Sequence, residues 1–200
     1  MKNKKILIDN GHGKETPGKC SPDASLREYQ HTRVIARRVV ETLRSKGLDA
    51  VLLVPEEADI PLSVRASRVN AFCRELGKEN VCLVSIHLNA AGCGAWMNAR
   101  GWEAWTSPGQ TGGDILAESL YSAAHRFLPP STPIRTDFSD KDSDKESRFY
   151  ILTKTQCAAC LTENLFQDNR LDVEYLKSEE GISAIVALHV AGIENYLKNH

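Results

Sequence analysis

Short apolar runs that are typical of buried β-strands alternate with helical patterns along most of the chain. Because parallel strands need a crossover connection, usually a helix, this alternation predicts an α/β fold with one mostly parallel sheet and helices on both faces. The predicted strands are 5–9, 50–54, 81–87, 101–106, 149–153 and 158–162. The predicted helices are 25–46, 62–76, 113–127 and 178–197, and the polar segment 129–148 is a predicted surface loop.

The length and charge of the chain indicate how many domains it has and which partners are excluded. A chain of 200 residues without an internal repeat or linker favours a single domain over residues 1–200. Its 26 acidic and 25 basic residues nearly cancel, which argues against nucleic acid as a partner. The lysine-rich N-terminus precedes an apolar run of only about four residues, too short for a signal peptide, and no segment approaches the roughly 18 apolar residues of a membrane helix. We therefore expect a protein made in the cytoplasm without a signal peptide or membrane span.

Six cysteines raise the question of disulfides. A cytosolic chain of this length neither needs such cross-links nor meets an oxidant that would form them, so free thiols are predicted. Cys157 and Cys160 form a C-x-x-C pair, a spacing found in zinc knuckles and redox pairs. The pair enters an apolar run of small residues, and we interpret both as buried core thiols.

The first predicted helix has a clear apolar face and a possible N-terminal cap. Ser25 and Glu28 have the spacing of a capping box, in which the serine hydroxyl and the glutamate carboxylate satisfy free backbone N–H groups. If Glu28 were instead a metal ligand, Ser25 would cap the helix alone. Glu28 and His31 also have the Glu-x-x-His spacing of di-iron bundles, but one copy on an α/β chain favours His31 as a surface residue or a support for a ligand.

Three apolar strands each end on an ionisable residue, His12, His87 and Glu163. Because ligands bind beyond the carboxyl ends of parallel strands, these side chains are expected at one edge of the sheet. Two imidazoles and a carboxylate there indicate a metal, and zinc suits them because its catalytic sites use three protein ligands and keep one position open. Taken singly, a histidine at the end of a strand is more often a hydrogen-bonded loop residue than a metal ligand.

Gly11 and Gly13 flank His12 and allow a tight turn in which the backbone approaches whatever the imidazole binds. A phosphate-binding loop is the competing interpretation. Neither of the usual glycine-rich phosphate motifs is present, and the next predicted helix begins more than ten residues later, so nucleotide binding is disfavoured.

Four segments, read in order with a glutamate at the start of the first helix, form a recognisable set: ILIDNGHG, LSVRASRVN, LVSIHLNAA and LTENLFQDN. Over essentially the whole chain, this set resembles the zinc-dependent N-acetylmuramoyl-L-alanine amidases of the Amidase_3 family. The resemblance implies that His12, Glu28 and His87 bind one Zn²⁺ per chain and that Glu163 is the catalytic carboxylate. It also implies a mixed sheet with helices on both faces.

The reaction implied by the resemblance is hydrolysis of the amide between N-acetylmuramic acid and L-alanine, so the expected partner is peptidoglycan or a muropeptide. Zinc would activate water and polarise the carbonyl, and Glu163 would transfer the proton. With no export signal and no separate wall-binding domain expected, the chain resembles a phage or prophage lysin that acts on the cell wall.

Other residues of these segments have open roles. Asn10 and Asn89 are candidates for hydrogen bonds to a ligand or to substrate, and turn formation is the alternative. Arg65 and Asn70 belong to the resemblance and are interpreted as possible braces of the fold.

Two other functions fit the same scaffold. A zinc peptidase would cut within the stem peptide, and a wall-binding module would keep the fold without catalysis. Retention of all three ligand candidates together with Glu163 favours an enzyme.

Overall fold

The computed structural model describes residues 4–139 and 141–199. Within them, six strands form one mixed sheet in the order β2-β1-β3-β6-β4-β5. The strands are β1 (Lys5–Asn10), β2 (Ala50–Leu52), β3 (Val81–Asn89), β4 (Trp102–Thr106), β5 (Lys145–Glu146) and β6 (Ala158–Phe166). The helices are α1 (Glu28–Ser45), α2 (Leu62–Leu76), α3 (Gly112–Phe127), α4 (Tyr150–Thr153), α5 (Arg170–Lys177) and α6 (Glu179–Asn199).

The strand directions place several carboxyl ends at one edge. Strands β2, β1, β3 and β6 are parallel, β4 runs antiparallel to β6, and β5 is parallel to β4. The residues that follow β1, β3 and β6 therefore meet at the same edge of the sheet. The predicted α/β class with a mostly parallel sheet is confirmed.

Helices cover both faces because the central strands are apolar on both sides. On one face, Ile6 and Ile8 belong to a core that includes buried residues of α1, α3 and α6. On the other, Leu7 and Leu83 pack in a second core with residues of α2 and α4. No helix of the described residues is both long and apolar enough to cross a membrane.

The predicted strand over 149–153 is wrong. Tyr150–Thr153 instead form one helical turn, and its residues Ile151 and Leu152 are buried in the second core. Ile151 and Leu152 are both buried, whereas the preceding residues Phe149 and Tyr150 are partly exposed. Helix α5 was not predicted, although Asn169 caps it by accepting hydrogen bonds from two backbone N–H groups.

The predicted capping box is also wrong. Helix α1 begins at Glu28, and its N-cap residue Arg27 makes no side-chain capping bond. Ser25 lies in a preceding turn, where its backbone N–H donates to Asp23 Oδ1. The Glu28 N–H instead donates to the Lys19 carbonyl, so the Glu28 side chain is free to point toward the sheet edge.

All six cysteines carry free thiols. Cys160 is buried in the first core, whereas Cys157 is partly exposed and packs against the second. The two residues of the C-x-x-C pair therefore belong to different faces of the sheet, which disfavours a shared metal site. The interpretation as core thiols holds for Cys160 and only in part for Cys157.

Candidate metal centre

His12, Glu28 and His87 come together at the carboxyl edge of the sheet. Their ligand atoms all lie within 4.8 Å of one another. Glu28 Oε1 is 3.4 Å from His12 Nε2 and 3.2 Å from His87 Nδ1. The two rings stand nearly perpendicular, with centroids 5.1 Å apart. The Glu28 side chain is 1% exposed, so its carboxylate is enclosed by these two imidazoles and the protein around them.

The two histidines meet because β1 and β3 are neighbouring parallel strands, with His12 just beyond the end of β1 and His87 near the end of β3. Asn10 of β1 is in register with Ile86 of β3, and the Gly11 N–H donates to the Ile86 carbonyl at 2.9 Å. His12 then adopts a positive φ of 60°, a backbone conformation that turns the chain sharply out of the strand. The sheet therefore fixes the spacing of the two imidazoles.

Two arginines hold the backbone of His12. Arg65 Nη2 and Arg33 Nη2 donate to the His12 carbonyl at 3.0 and 3.1 Å. Arg65 Nη1 also bonds Asp9 Oδ1 at 2.8 Å, and both of these side chains are 2% exposed. Asp9 accepts a further hydrogen bond from Ser85 Oγ at 2.6 Å. The strained turn at His12 is thus stabilised by a buried ion pair, which supports the interpretation of Arg65 as a brace.

The carboxylate of Glu28 is held on both oxygens. Oε1 accepts a hydrogen bond from the Leu88 backbone N–H, and Oε2 accepts one from Gln167 Nε2, each at 3.0 Å. Burial alone would favour the neutral acid, but hydrogen bonds and charges from His12 and His87 outweigh it and lower the pKa of Glu28. For His87, burial is likewise outweighed by Glu28, and the pKa of the imidazole is raised. An ionised carboxylate beside nitrogen donors is a ligand set that zinc accepts.

Glu163 lies beside this group and outside it. Its strand position pairs with His87, and its Oε2 is buried without a hydrogen-bond partner among the described residues. Burial raises the pKa of Glu163 to about 8, with His87 opposing and Glu28 and Glu103 adding to the rise. A carboxyl group with a raised pKa and an oxygen without a partner among the described residues is suited to exchange protons.

A cavity of about 240 Å³ joins the three ligand candidates to Glu163. Its outer wall includes the partly exposed apolar side chains of Leu62, Phe149 and Tyr150. Lys19 also lines it and places a positive charge at a site otherwise rich in carboxylates. The cavity has room for a small polar segment of substrate against an apolar wall.

Sequence reasoning missed Glu103, a buried carboxylate opposite Glu163 on β4. Arg135 Nε and Lys145 Nζ lie 2.6 and 2.8 Å from Glu103 Oε2. Burial opposes ionisation of Glu103, but Lys145 and Arg135 outweigh it and lower its pKa. The sequence signal for this residue is a single glutamate within the apolar strand GWEAWT.

The structure places the three asparagines and His31 of the sequence analysis in different surroundings. Asn89 Nδ2 donates to Glu103 Oε1 at 2.8 Å, while both side-chain polar atoms of Asn10 are buried without partners among the described residues. Asn70 bonds the Lys154 carbonyl and the Gln156 N–H, as expected of a brace. His31 is partly buried on α1 and does not belong to the ligand group.

Fold and site together define a protein of the α/β class with a candidate metal-ligand group and the Glu163 carboxylate at one edge of its sheet. The chain belongs to the Amidase_3 family of N-acetylmuramoyl-L-alanine amidases, which are peptidoglycan hydrolases, and the family model matches residues 6–195. The family and enzyme class expected from the sequence are confirmed.

Individual relatives agree with this assignment. The chain is 29% identical over 196 residues to the N-acetylmuramoyl-L-alanine amidase CwlM of Bacillus licheniformis, covering 94% of this chain and 67% of that protein. It is 25% identical over 198 residues to the endolysin of Bacillus phage SPP1, covering 97% and 66%. The chain thus spans about two thirds of these relatives.

Solved structures show the same fold. An N-acetylmuramoyl-L-alanine amidase from Clostridium difficile 630 superposes with a TM-score of 0.82 at 24% identity, covering 99% of this chain and 98% of that one. The amidase AmiC2 of Nostoc punctiforme gives a TM-score of 0.77 at 25% identity, covering 98% of each chain.

Proposed function

We propose that this protein hydrolyses the amide between the lactyl group of N-acetylmuramic acid and L-alanine, with one Zn²⁺ held by His12, Glu28 and His87 and with Glu163 as the proton-transfer residue. The observation that carries the proposal is the convergence of three ligand atoms within 4.8 Å, beside the unpartnered buried oxygen of Glu163. Two neutral imidazoles and one carboxylate leave an open coordination position in the tetrahedral geometry that zinc prefers.

When bound there, zinc would supply Lewis acidity toward the amide carbonyl and would lower the pKa of water. The protein must then move protons, because the nitrogen of an amide leaves only after it is protonated. Glu163 is placed to accept the proton of the attacking water as the C–O bond forms. It then returns that proton to the alanine nitrogen as the C–N bond breaks, giving the lactyl carboxylic acid and the alanine amine, which ionise to a carboxylate and an ammonium group.

The environment of Glu163 supports this role. Burial raises the pKa of Glu163 and favours its protonated form, whereas a cation at the three ligand candidates would favour the ionised form that accepts a proton. A fourth protein ligand would close the position that substrate and water need, and Glu163 lies outside the ligand group. Leu62 and Tyr150 give one side of the same cavity an apolar lining.

The proposal extends to organisation and location. We propose that residues 1–200 act as one catalytic domain and that the site of action is the cell wall. The family match over residues 6–195 and the likeness to a phage endolysin support a role like that of a phage or prophage lysin.

Digestion of purified sacculi tests the reaction. An amidase releases intact stem peptides and exposes a free alanine amine, a stem-peptide peptidase leaves alanine attached to the sugar, and a binding module releases nothing. We expect the first outcome with zinc-loaded wild-type protein, and either of the others would overturn the proposed reaction.

Metal analysis tests the ligand assignment separately. Wild-type protein should carry about one equivalent of zinc, the stoichiometry of a single three-ligand site. His12→Ala and His87→Ala should each lose most of it, whereas His125→Ala, on the exposed surface of α3, should keep it. Full zinc content in both ligand variants would remove the assignment.

A further inference from the structure

We infer that Gln167 is a positioning residue of the metal centre, which fixes the Glu28 carboxylate so that only Oε1 faces the metal. This inference rests on the proposed zinc site. Its central observation is the hydrogen bond from Gln167 Nε2 to Glu28 Oε2 at 3.0 Å, between side chains that are both about 1% exposed.

The two oxygens of Glu28 have different surroundings. Oε1 lies 3.4 Å from His12 Nε2 and 3.2 Å from His87 Nδ1, so it belongs to the ligand group. Oε2 is occupied by the amide of Gln167. With the Leu88 N–H donating to Oε1 as well, the plane of the carboxylate is fixed by one hydrogen bond on each oxygen. Glu28 is therefore arranged to bind a metal through one oxygen.

An irregularity in the sheet brings Gln167 to this position. His87 pairs with Glu163 but Asn89 pairs with Phe166, so β6 carries one more residue than β3 across this interval. Leu165, inside that interval, has a positive φ of 68°, as the extra residue of a bulge often does. The Gln167 backbone N–H then donates to the Asn89 carbonyl at 2.8 Å, which anchors the residue above the ends of the two strands.

The physical consequence is a preorganised ligand. Without a donor at position 167, Oε2 would be a buried carboxylate oxygen without its hydrogen bond, and the carboxylate could rotate out of the ligand geometry. Residues that orient metal ligands typically contribute 10- to 100-fold to metal affinity. Gln167 also approaches the Leu88 carbonyl at 3.5 Å, which lies on the same strand end and adds a second, weaker tether.

The test compares zinc dissociation constants, measured by competition with a chromophoric chelator. Gln167→Met keeps the length of the side chain and removes the donor, so zinc should bind on the order of 10- to 100-fold more weakly. Gln167→Glu keeps the shape of the side chain but places a carboxylate against the Glu28 carboxylate, so the loss of zinc affinity should be larger. Gln110→Met, at an exposed position in a loop, is the matched control and should bind zinc as the wild type does.

Two results would overturn the inference. One is a folded Gln167→Met or Gln167→Glu variant whose zinc dissociation constant stays within about threefold of wild type, well short of the effect expected of a residue that orients a ligand. The other needs no variant: a crystal structure of zinc-loaded wild type in which both Glu28 oxygens bind the ion and Gln167 has turned away. Failure of the wild type itself to bind zinc would instead overturn the proposed function, so the two failures are distinguishable.

Discussion

Gly11 and His87 are so close that a Cβ on Gly11 would stand 2.5 Å from His87 Nδ1. No real Cβ contact is that short, so any side chain at position 11 must displace the imidazole or the turn that follows β1. The His87 ring is thus packed against bare backbone on one side and faces Glu28 on the other. The glycine is required by the position of the ligand, which gives a sequence-level reason for the Gly-His-Gly motif.

The first prediction follows from this contact. Gly11→Ala should move the His87 ring away from Glu28 and weaken zinc binding at least tenfold, since small displacements of ligands are costly to a metal site. The measurement is chelator competition. Gly112→Ala is the control, because its added Cβ would meet only Ala158, at 3.3 Å from the Cβ and 3.9 Å from the Cα, and neither residue belongs to the site. Unchanged zinc affinity in Gly11→Ala would show that His87 is not a ligand in its present position.

The second prediction separates metal binding from catalysis at Glu163. Glu163→Gln keeps the shape of the side chain but cannot accept a proton, so the rate of muropeptide cleavage should fall by about 10²- to 10⁴-fold. Zinc content should stay at the wild-type value because Glu163 lies outside the ligand group. Cleavage within a few-fold of wild type, measured by release of stem peptides, would exclude Glu163 from the proton transfer.

The third prediction concerns the buried pair of Arg65 and Asp9. Arg65→Met leaves the Asp9 carboxylate buried without its cation, and breaking such a pair costs about 3–5 kcal/mol of unfolding free energy. Urea unfolding measures it. Arg68→Met is the control on the same helix, since the Arg68–Glu56 pair is about one third exposed and should contribute about 1 kcal/mol or less.

Addition of Asp9→Asn to Arg65→Met tests the cause of that loss. The neutral amide removes the uncompensated charge, so the double variant should unfold at a higher urea concentration than Arg65→Met alone. If the double variant is no more stable, the loss comes instead from the hydrogen bonds that Arg65 gives to the Asn10 and His12 carbonyls.

The sequence predicts best what depends on regular periodicity. Apolar runs predict five of the six strands of the described residues, and the rule that parallel strands share a carboxyl edge places His12, His87 and Glu163 together. Glu28 was identified as a ligand only through the family resemblance, because the capping box explained the same residue from local pattern. The capping box does not form because the backbone N–H of Glu28 donates instead to the Lys19 carbonyl, nine residues earlier in the chain.

The features that were not predicted depend on contacts distant in sequence. Glu103 is kept ionised by cations more than 30 residues away, and Gln167 reaches a glutamate 139 residues earlier in the chain. The bulge that positions Gln167 contains Leu165, whose positive φ is unusual for a branched apolar residue and is not signalled by its type. Only the assembled sheet shows these relationships.

The fourth prediction concerns acid stability and His189, which is buried on α6. His189 Nδ1 lies 2.7 Å from the Ile185 carbonyl, which can only accept, so Nδ1 carries the proton and Nε2 accepts from Thr162 Oγ1 at 2.9 Å. Burial lowers the pKa of His189 to about 4, with the Ile185 carbonyl opposing, against 6.5 for an ordinary histidine. Between these values the unfolded chain binds a proton that the folded protein excludes, so stability is present above about pH 6.5 and is lost as the pH falls toward 4.

We expect His189→Leu to be less stable at pH 7, because Thr162 loses its acceptor, but to lose about 2 kcal/mol less than wild type between pH 7 and 4.5. Urea unfolding at the two pH values measures this difference, and His125→Leu, at an exposed position, controls for loss of an imidazole. An equal loss in wild type and His189→Leu would show that His189 does not contribute to acid unfolding.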